Sequence, residues 1–511
     1  MRTNRLTLTA LFLLAVTLQI SVGQVDSTAG SGAWNSSTTW KSGSVPTGAG
    51  TYIIRATDSV YFSGPATITG TIKSLSGKIG TYDSSKIVFA NGSTYEHAVN
   101  GGSIPKATWN TGSTCLVTGV TGNMPNNAAQ NFYNFTWNCP AQSAGLNMGL
   151  SNQTISGNIR VMKSNSQYLR LTAANITVPT GRKVITIVGN IQLDTATAYF
   201  TSTGSGSPDD TFSVVHKGDI ISKGAFQVAN GSGASVNWYA EGNVLVTEGS
   251  FTTNSTATKP DTFFFSGTKR QQFLRGASSS NIRFRVKSGA IVDFDTSSLG
   301  GSAAATFTLD SGGTVSSGHA KGLKGNINVG GGIVLSTQAN YEYAGTVAQV
   351  DTLMPSTVKN LTINNPAGFT LLFPVTINGV LSLKAGQLDN TNPFTLGAGA
   401  TIAYLGGSLK NPVTAVDEQH VIAPTEFSVE QNYPNPFNPS TTIAFSLPAE
   451  RTVSVRIYSS IGQLVGEVVN GTFSAGRHTV SFDASRLSSG VYYYTVRAGN
   501  DVAAKRMLLM K

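Results

Sequence analysis

Apolar and polar positions alternate in short runs along most of the chain, and no stretch of ten or more residues beyond the first two dozen carries a helical period. In Thr452–Tyr458 one face holds Val453, Val455 and Ile457, and the other Ser454, Arg456 and Tyr458. In Val491–Arg497 the faces are Tyr492, Tyr494 and Val496 against Tyr493, Thr495 and Arg497. Six or seven such runs fill residues 426–511, separated by turn signals such as Asn470-Gly471, Ser488-Ser489-Gly490 and Gly499-Asn500. They predict a small antiparallel, immunoglobulin-like β-sandwich.

Upstream the pattern changes to a recurring Gly followed by a β-branched run: Gly157-Asn158-Ile159, Gly189-Asn190-Ile191, Gly218-Asp219-Ile220, Gly242-Asn243-Val244, Gly325-Asn326-Ile327 and Gly379-Val380-Leu381. The first four are 32, 29 and 24 residues apart. A longer echo links FSGTKRQ at 265–271 to YAGTVAQ at 343–349, and NIRFRVKSGAIVDF at 281–294 to NLTINNPAGFTLLF at 360–373. NFTWNCPAQSAGLNM at 134–148 is a further relative. Short strands and Gly/Asn corners at this period predict a parallel β-helix or β-solenoid over residues 65–410; at around 25 residues per coil, residues 30–415 would make about 15 coils and a rod on the order of 70 Å long. Residues 24–64 are expected to cap it, with Trp34 and Trp40 over the first coil, and 411–425 read as a linker.

Composition agrees with an all-β chain: 56 glycines and only 12% charged residues in 511. The formal charge is +10, but it is dilute. The densest basic stretches are Lys269-Arg270 and the alternating Arg283, Arg285 and Lys287, which a strand would place on one face. That is too little for nucleic-acid binding, which wants a basic stripe with interleaved aromatics.

Arg2 and Arg5 precede an apolar run from Leu6 to Ile20, then Ser21-Val22-Gly23. This is the pattern of a secretory signal peptide, residues 1–23, with Gly23 at the cleavage point. Cys115 and Cys139 are the only cysteines, and an exported protein meets oxidising surroundings, so a disulfide between them is expected.

Catalytic patterns are sparse. The five histidines show no metal-ligand spacing, and neither a metal nor a cofactor is expected. Asp209-Asp210 reads as a solvated loop. Asp293 and Asp295 on one strand face would lie some 7 Å apart, a separation that glycoside chemistry could use; exposed turn carboxylates are the plainer reading.

One stretch decides the export route. Gln431-Asn432-Tyr433-Pro434-Asn435-Pro436-Phe437-Asn438-Pro439 cannot form a helix or a central strand. It is followed by Ile457-Tyr458 with Gly462, then Gly490-Val491-Tyr492, then a basic-apolar ending with Lys505, Arg506 and Lys511. In order and spacing these motifs resemble the type A C-terminal sorting domain of the type IX secretion system, over residues 426–511. The resemblance implies a proline segment docked as a stiff lead-in strand, delivery by the type IX machinery across the outer membrane, and a final place on the surface or outside the cell. It also implies removal of the tail, with the passenger joined to surface lipopolysaccharide or released. More loosely, residues 30–410 resemble secreted bacterial surface β-solenoids.

The reading of function is a non-enzymatic surface or secreted protein acting in adhesion, coat or matrix. Two alternatives stay open: a polysaccharide-active β-helix lyase or glycosidase built on Asp293, Asp295, Arg283 and Arg285, and a glycan-binding module presenting Trp238, Tyr239, Tyr341 and Tyr343.

Overall fold

The structure, a computed structural model, describes residues 24–81, 87–172, 183–203, 211–231, 235–253, 261–275, 281–412, 426–473 and 476–510. The signal peptide with Gly23, Asp209-Asp210, most of the 411–425 stretch with His420, and Lys511 lie outside them.

Up to Leu409 the chain winds as a parallel solenoid with three faces. One face is a continuous sheet of 17 strands, from Val25–Ser27 to Thr401–Tyr404. The second carries sheets of 3, 5, 2 and 4 strands, and the third sheets of 3, 8 and 3. One turn runs through Ile159–Lys163, Tyr168–Arg170 and Lys183–Ile187, then returns to the first face at Ile191–Leu193, in register with Ile159. At about 4.8 Å per rung the long sheet measures roughly 75 Å, close to the length expected from the repeats.

Register stacking builds the core. Alternate side chains point inward, so each buried residue meets its counterpart on the next rung: Ile159, Ile191, Ile220 and Val244 on the first face, and Leu169, Phe200, Phe226 and Phe251 on the second. On the third, Val214, Trp238, Phe263, Phe284 and Phe307 form a third buried column. Parallel strands stacked this way satisfy their backbone groups above and below, which a chain with few helix formers can sustain over many rungs.

The Gly-Asn repeat is the corner entering the long face. Asn158 N–H donates to Asn134 Oδ1 (2.9 Å), Asn190 N–H to Asn158 Oδ1 (2.8 Å), Asp219 N–H to Asn190 Oδ1 (2.9 Å) and Asn243 N–H to Asp219 Oδ1 (2.7 Å). The side chains thus carry a hydrogen-bond ladder past a bend where strand pairing stops. The preceding glycines stack so closely that a Cβ on Gly218 would strike the carbonyl of Gly189, and one on Gly242 that of Gly218. Gly379 belongs to the same class, with Val380 N–H on Asn360 Oδ1 (2.7 Å). Gly325-Asn326-Ile327 does not. Gly325 and Asn326 lie in the one-turn helix Leu323–Asn326, and Asn326 is buried, donating to the carbonyls of Asp295 (2.9 Å) and Ser297 (2.6 Å).

The longer echo marks a second device. In both copies a glutamine four residues after a glycine is buried and ties its own loop to the preceding rung. Gly267 N–H donates to Gln271 Oε1 (2.9 Å), while Gln271 Nε2 donates to the carbonyls of Ala240 (3.0 Å) and Gly242 (2.7 Å). Gly345 N–H donates to Gln349 Oε1 (3.2 Å), and Gln349 Nε2 to the carbonyls of Ser317 (3.0 Å) and His319 (2.9 Å). Gln142, in the third relative, is also buried but accepts from Trp137 Nε1 (2.9 Å) instead.

At the N-terminal end Trp34 stacks on Phe62 (5.0 Å) and meets Trp40 edge-on (4.9 Å), with Tyr52 against both. Residues 24–64 also supply strands of their own: Val25–Ser27 pairs with Thr51–Ile54, and Gly32–Ala33 with Val60–Phe62.

The expected disulfide is absent; Cys115 and Cys139 are free, buried thiols. Their strands are neighbours, but Cys115 is opposite Phe135, which leaves Cys139 four residues further along, roughly 13 Å away by strand rise. A disulfide tolerates at most about 7 Å between Cα atoms. Cys139 Sγ instead faces the carbonyl of Val117 (3.5 Å).

Candidate functional site

Asp293 ends the strand Ile291–Asp293, whereas Asp295 has φ 44° and turns away, its N–H bonded to Asp293 Oδ1 (3.0 Å). The two therefore do not share a strand face, contrary to expectation, because the strand stops between them. Asp293 is in a different row. The register aligns it with Ser316 and Glu342 on the next two rungs. Arg270 bridges this row, with Nη1 3.3 Å from Asp293 and Nη2 2.5 Å from Glu342. Burial works against the Arg270 charge, yet the bonds to Glu342 and Asp293 more than offset this and hold its guanidinium above the ordinary value. The two cations expected beside Asp293, Arg283 and Arg285, belong to the third face and not to the long sheet that holds Asp293, and Arg285 pairs with Asp310 instead (2.9 Å). Asp351, which the sequence did not single out, is deeply buried. Burial raises its pKa, partly countered by a bond from Tyr343 Oη (2.7 Å) and by the N–H groups of Leu353, Leu323 and Lys324. It anchors the one-turn helix to the next rung. Among the described residues no three His, Cys, Asp or Glu side chains converge as a metal site.

The aromatic candidates divide. Trp238, Tyr341 and Tyr343 are buried and belong to the core, because their alternation points them inward; Tyr343 packs on Phe369 at 4.0 Å. Tyr239 faces out, stacked on Phe264 of the next rung at 4.6 Å and 7°. Arg283 and Arg285 lie exposed on the following strand, Arg283–Val286, and Lys287 is exposed directly after it, as the period of two predicts. Lys287 Nζ reaches back to 5.3 Å from the Tyr239 ring centre.

The C-terminal part is two antiparallel sheets. One holds Ser428–Val429, Ser440–Leu447 and Gly476–Asp483; the other holds Leu464–Phe473, Arg451–Ser459, Gly490–Ala498 and Asp501–Leu509, in that spatial order. Phe437, Phe445, Ile457, Tyr494 and Leu509 fill the space between them. The proline segment ties the sheets together. Tyr433 bridges to Thr442 in the first, and Phe437, buried, bridges to Leu509 in the second. Asn432 is nearly enclosed: its N–H donates to Tyr494 Oη (3.0 Å) and its Nδ2 to Thr441 Oγ1 (2.9 Å). Gln431 Nε2 reaches the carbonyl of Arg506 (2.7 Å), and Asn435 Oδ1 accepts from Leu508 N–H (2.9 Å). The Asn-Pro motif and the basic-apolar ending, some 70 residues apart, are thus halves of one contact. Pro434 and Pro436 occupy positions that need no ladder donor, and both follow cis peptide bonds. Pro439 accepts from Ala484 N–H (2.9 Å), and Asn438 is exposed. Gly490, Val491 and Tyr492 open the strand paired with Leu509, Leu508 and Met507, and Lys505 and Arg506 lie opposite Tyr494 and Tyr493.

Residues 431–510 match the family described as the secretion system C-terminal sorting domain. This tail is a type IX sorting domain. It implies a protein exported to the cell surface or the extracellular space and handled by the type IX machinery, with a β-solenoid passenger. No curated protein and no solved structure matches the chain.

Proposed function

We propose that the passenger is a non-enzymatic surface or secreted protein with an adhesive, coat or matrix role, working through contacts repeated along its faces. After export it is held at surface lipopolysaccharide or released. The observation that carries this reading is the engagement of Asp293: its carboxylate is ion-paired to Arg270, which also holds Glu342, so that the pairs span four successive rungs. Catalysis needs titratable groups held ready for a substrate, whereas this set cross-links the stack. A long stiff face with side chains at the rung spacing suits many weak contacts with a polymer or a neighbouring cell.

Incubating the purified full chain with a panel of acidic and neutral polysaccharides tests this reading. Unchanged chain lengths are expected. Cleavage that the double variant Asp293→Asn, Asp295→Asn abolishes would promote the enzyme in its place.

A further inference from the structure

The third face carries a feature that the export route leaves unused. Beside the Tyr239–Phe264 stack a groove of about 350 Å³ is lined by Lys217, Glu241, Ser266, Gly267, Thr268 and Lys269. Lys217, Glu241, Ser266, Lys287 and Asp310 follow one another up the solenoid, each directly after a paired strand position, so their side chains form one outward column. The rings of Tyr239 and Phe264 form the neighbouring outward column, preceded by Val215 and followed by Arg285. Lys287 Nζ lies 5.3 Å from one ring centre and 5.9 Å from the other, which keeps the ammonium beside the apolar wall.

Charge around the groove is one-sided. Lys217, Lys269, Arg283 and Lys287 are exposed and carry no ion pair among the described residues. Against them stand Glu241 and Asp310, and Asp310 is taken by Arg285. A concave polar site with unpaired cations on its rim and an aromatic pair in the next column calls for an anionic ligand that also has an apolar side.

We propose that this face binds an acidic polysaccharide bearing carboxylates. Lys217, Lys269 and Lys287 meet the carboxylates, and the outward edges of the stacked Tyr239 and Phe264 rings give apolar contact to the C–H groups of the sugar, which needs no free ring face. Single-stranded nucleic acid fits less well, because bases stack on free aromatic faces and these two rings cover one another at 4.6 Å. Adjacent rungs offer similar contacts about 4.8 Å apart, which favours an extended chain over a small molecule.

This inference deepens the surface-contact reading above and rests on it. Binding and chain cleavage are measured separately, so either can fail alone. The probe is polygalacturonate, titrated against the full-length protein by calorimetry at low and moderate salt, with dextran and single-stranded DNA as competitors. Saturable binding that weakens with salt is expected. The triple variant Lys217→Gln, Lys269→Gln, Lys287→Gln should lose about tenfold in affinity or more, and Tyr239→Ala several-fold. Lys106→Gln, Lys359→Gln, Lys384→Gln removes the same charge from exposed positions elsewhere and should bind as the parent does. Equal losses in the two triple variants, a preference for DNA, or no binding by the parent would overturn the proposal. A thermal melt of each variant keeps misfolding from imitating a loss.

Discussion

Replacing Gln271 by Leu removes an amide and keeps nearly the same volume, so it isolates hydrogen bonding from packing. The buried Gly267 N–H loses its acceptor outright. The carbonyl of Ala240 keeps other donors, Ser266 N–H (2.9 Å) and Ser266 Oγ (3.1 Å), while that of Gly242 loses the one from Gln271. One stranded buried donor costs about 1–3 kcal/mol and a weakened acceptor less, which puts the loss at roughly 2–4 kcal/mol. Gln272, next in sequence, is the control. It is exposed and joins the stack through its backbone, its N–H on Asn243 Oδ1 and its strand position opposite Asp293, so Gln272→Leu should stay within about 0.5 kcal/mol. Gln349→Leu should cost at least as much as Gln271→Leu, because Asn365 Nδ2 (2.8 Å) also depends on its oxygen. Hydrogen exchange read rung by rung suits a stack that need not unfold in one step. Protection should fall around residues 240–271 in Gln271→Leu and remain in Gln272→Leu. Equal protection in the two variants would refute the assignment of this motif as a clamp between rungs.

Gly218→Ala places a methyl against the Gly189 carbonyl and should cost roughly 1–3 kcal/mol, whereas Gly300→Ala, with open space around it, should cost far less; urea midpoints compare the two. Burial pushes the Cys139 thiol up to about 12 and raises that of Cys115 well above the ordinary thiol value, so iodoacetamide at pH 8 should modify neither in the native protein and both after unfolding; an intact disulfide in the non-reduced protein would contradict the free thiols. His216 is buried with Nε2 on the Gly189 carbonyl (3.0 Å) and Nδ1 unpartnered, and burial lowers its pKa to about 4. The unfolded chain therefore takes up a proton first, and stability is lost as pH falls from about 6.5 towards 4, by up to roughly 3 kcal/mol. His216→Gln should remove that part of the acid sensitivity, and identical pH profiles would show that it does not arise at this residue.

Much of the architecture is legible in the sequence. Runs such as Thr452–Tyr458 determine their faces by period alone, and the Gly-Asn corners recur because each must pass its hydrogen bond to the next. Register was not readable. Cys115 and Cys139 sit on adjacent rungs, but a strand offset of four residues separates them, and sequence distance holds no trace of that offset. Asp293 and Asp295 look like a same-face pair unless the chain turns between them, as the positive φ of Asp295 makes it do. Trp238 and Tyr239 are neighbours in sequence and opposite in exposure. Alternation could assign one inward and one outward, but which was which depended on the core columns. The most specific motif, around Asn432, was recognisable from its prolines and asparagines. Its partner at Arg506 and Leu508 was visible only as a second motif, since the contact that joins them spans the whole sandwich.

The export route depends on the C-terminal tail. Deleting residues 426–511 removes both sheets of the sorting domain and leaves the solenoid, whose buried core cluster runs from Trp34 to Leu409 without them. Cell fractionation with protease shaving of intact cells should then find the full-length protein outside the outer membrane, and the truncated passenger folded and retained in the periplasm. Truncated passenger displayed or released as efficiently as the full-length protein would contradict the sorting role.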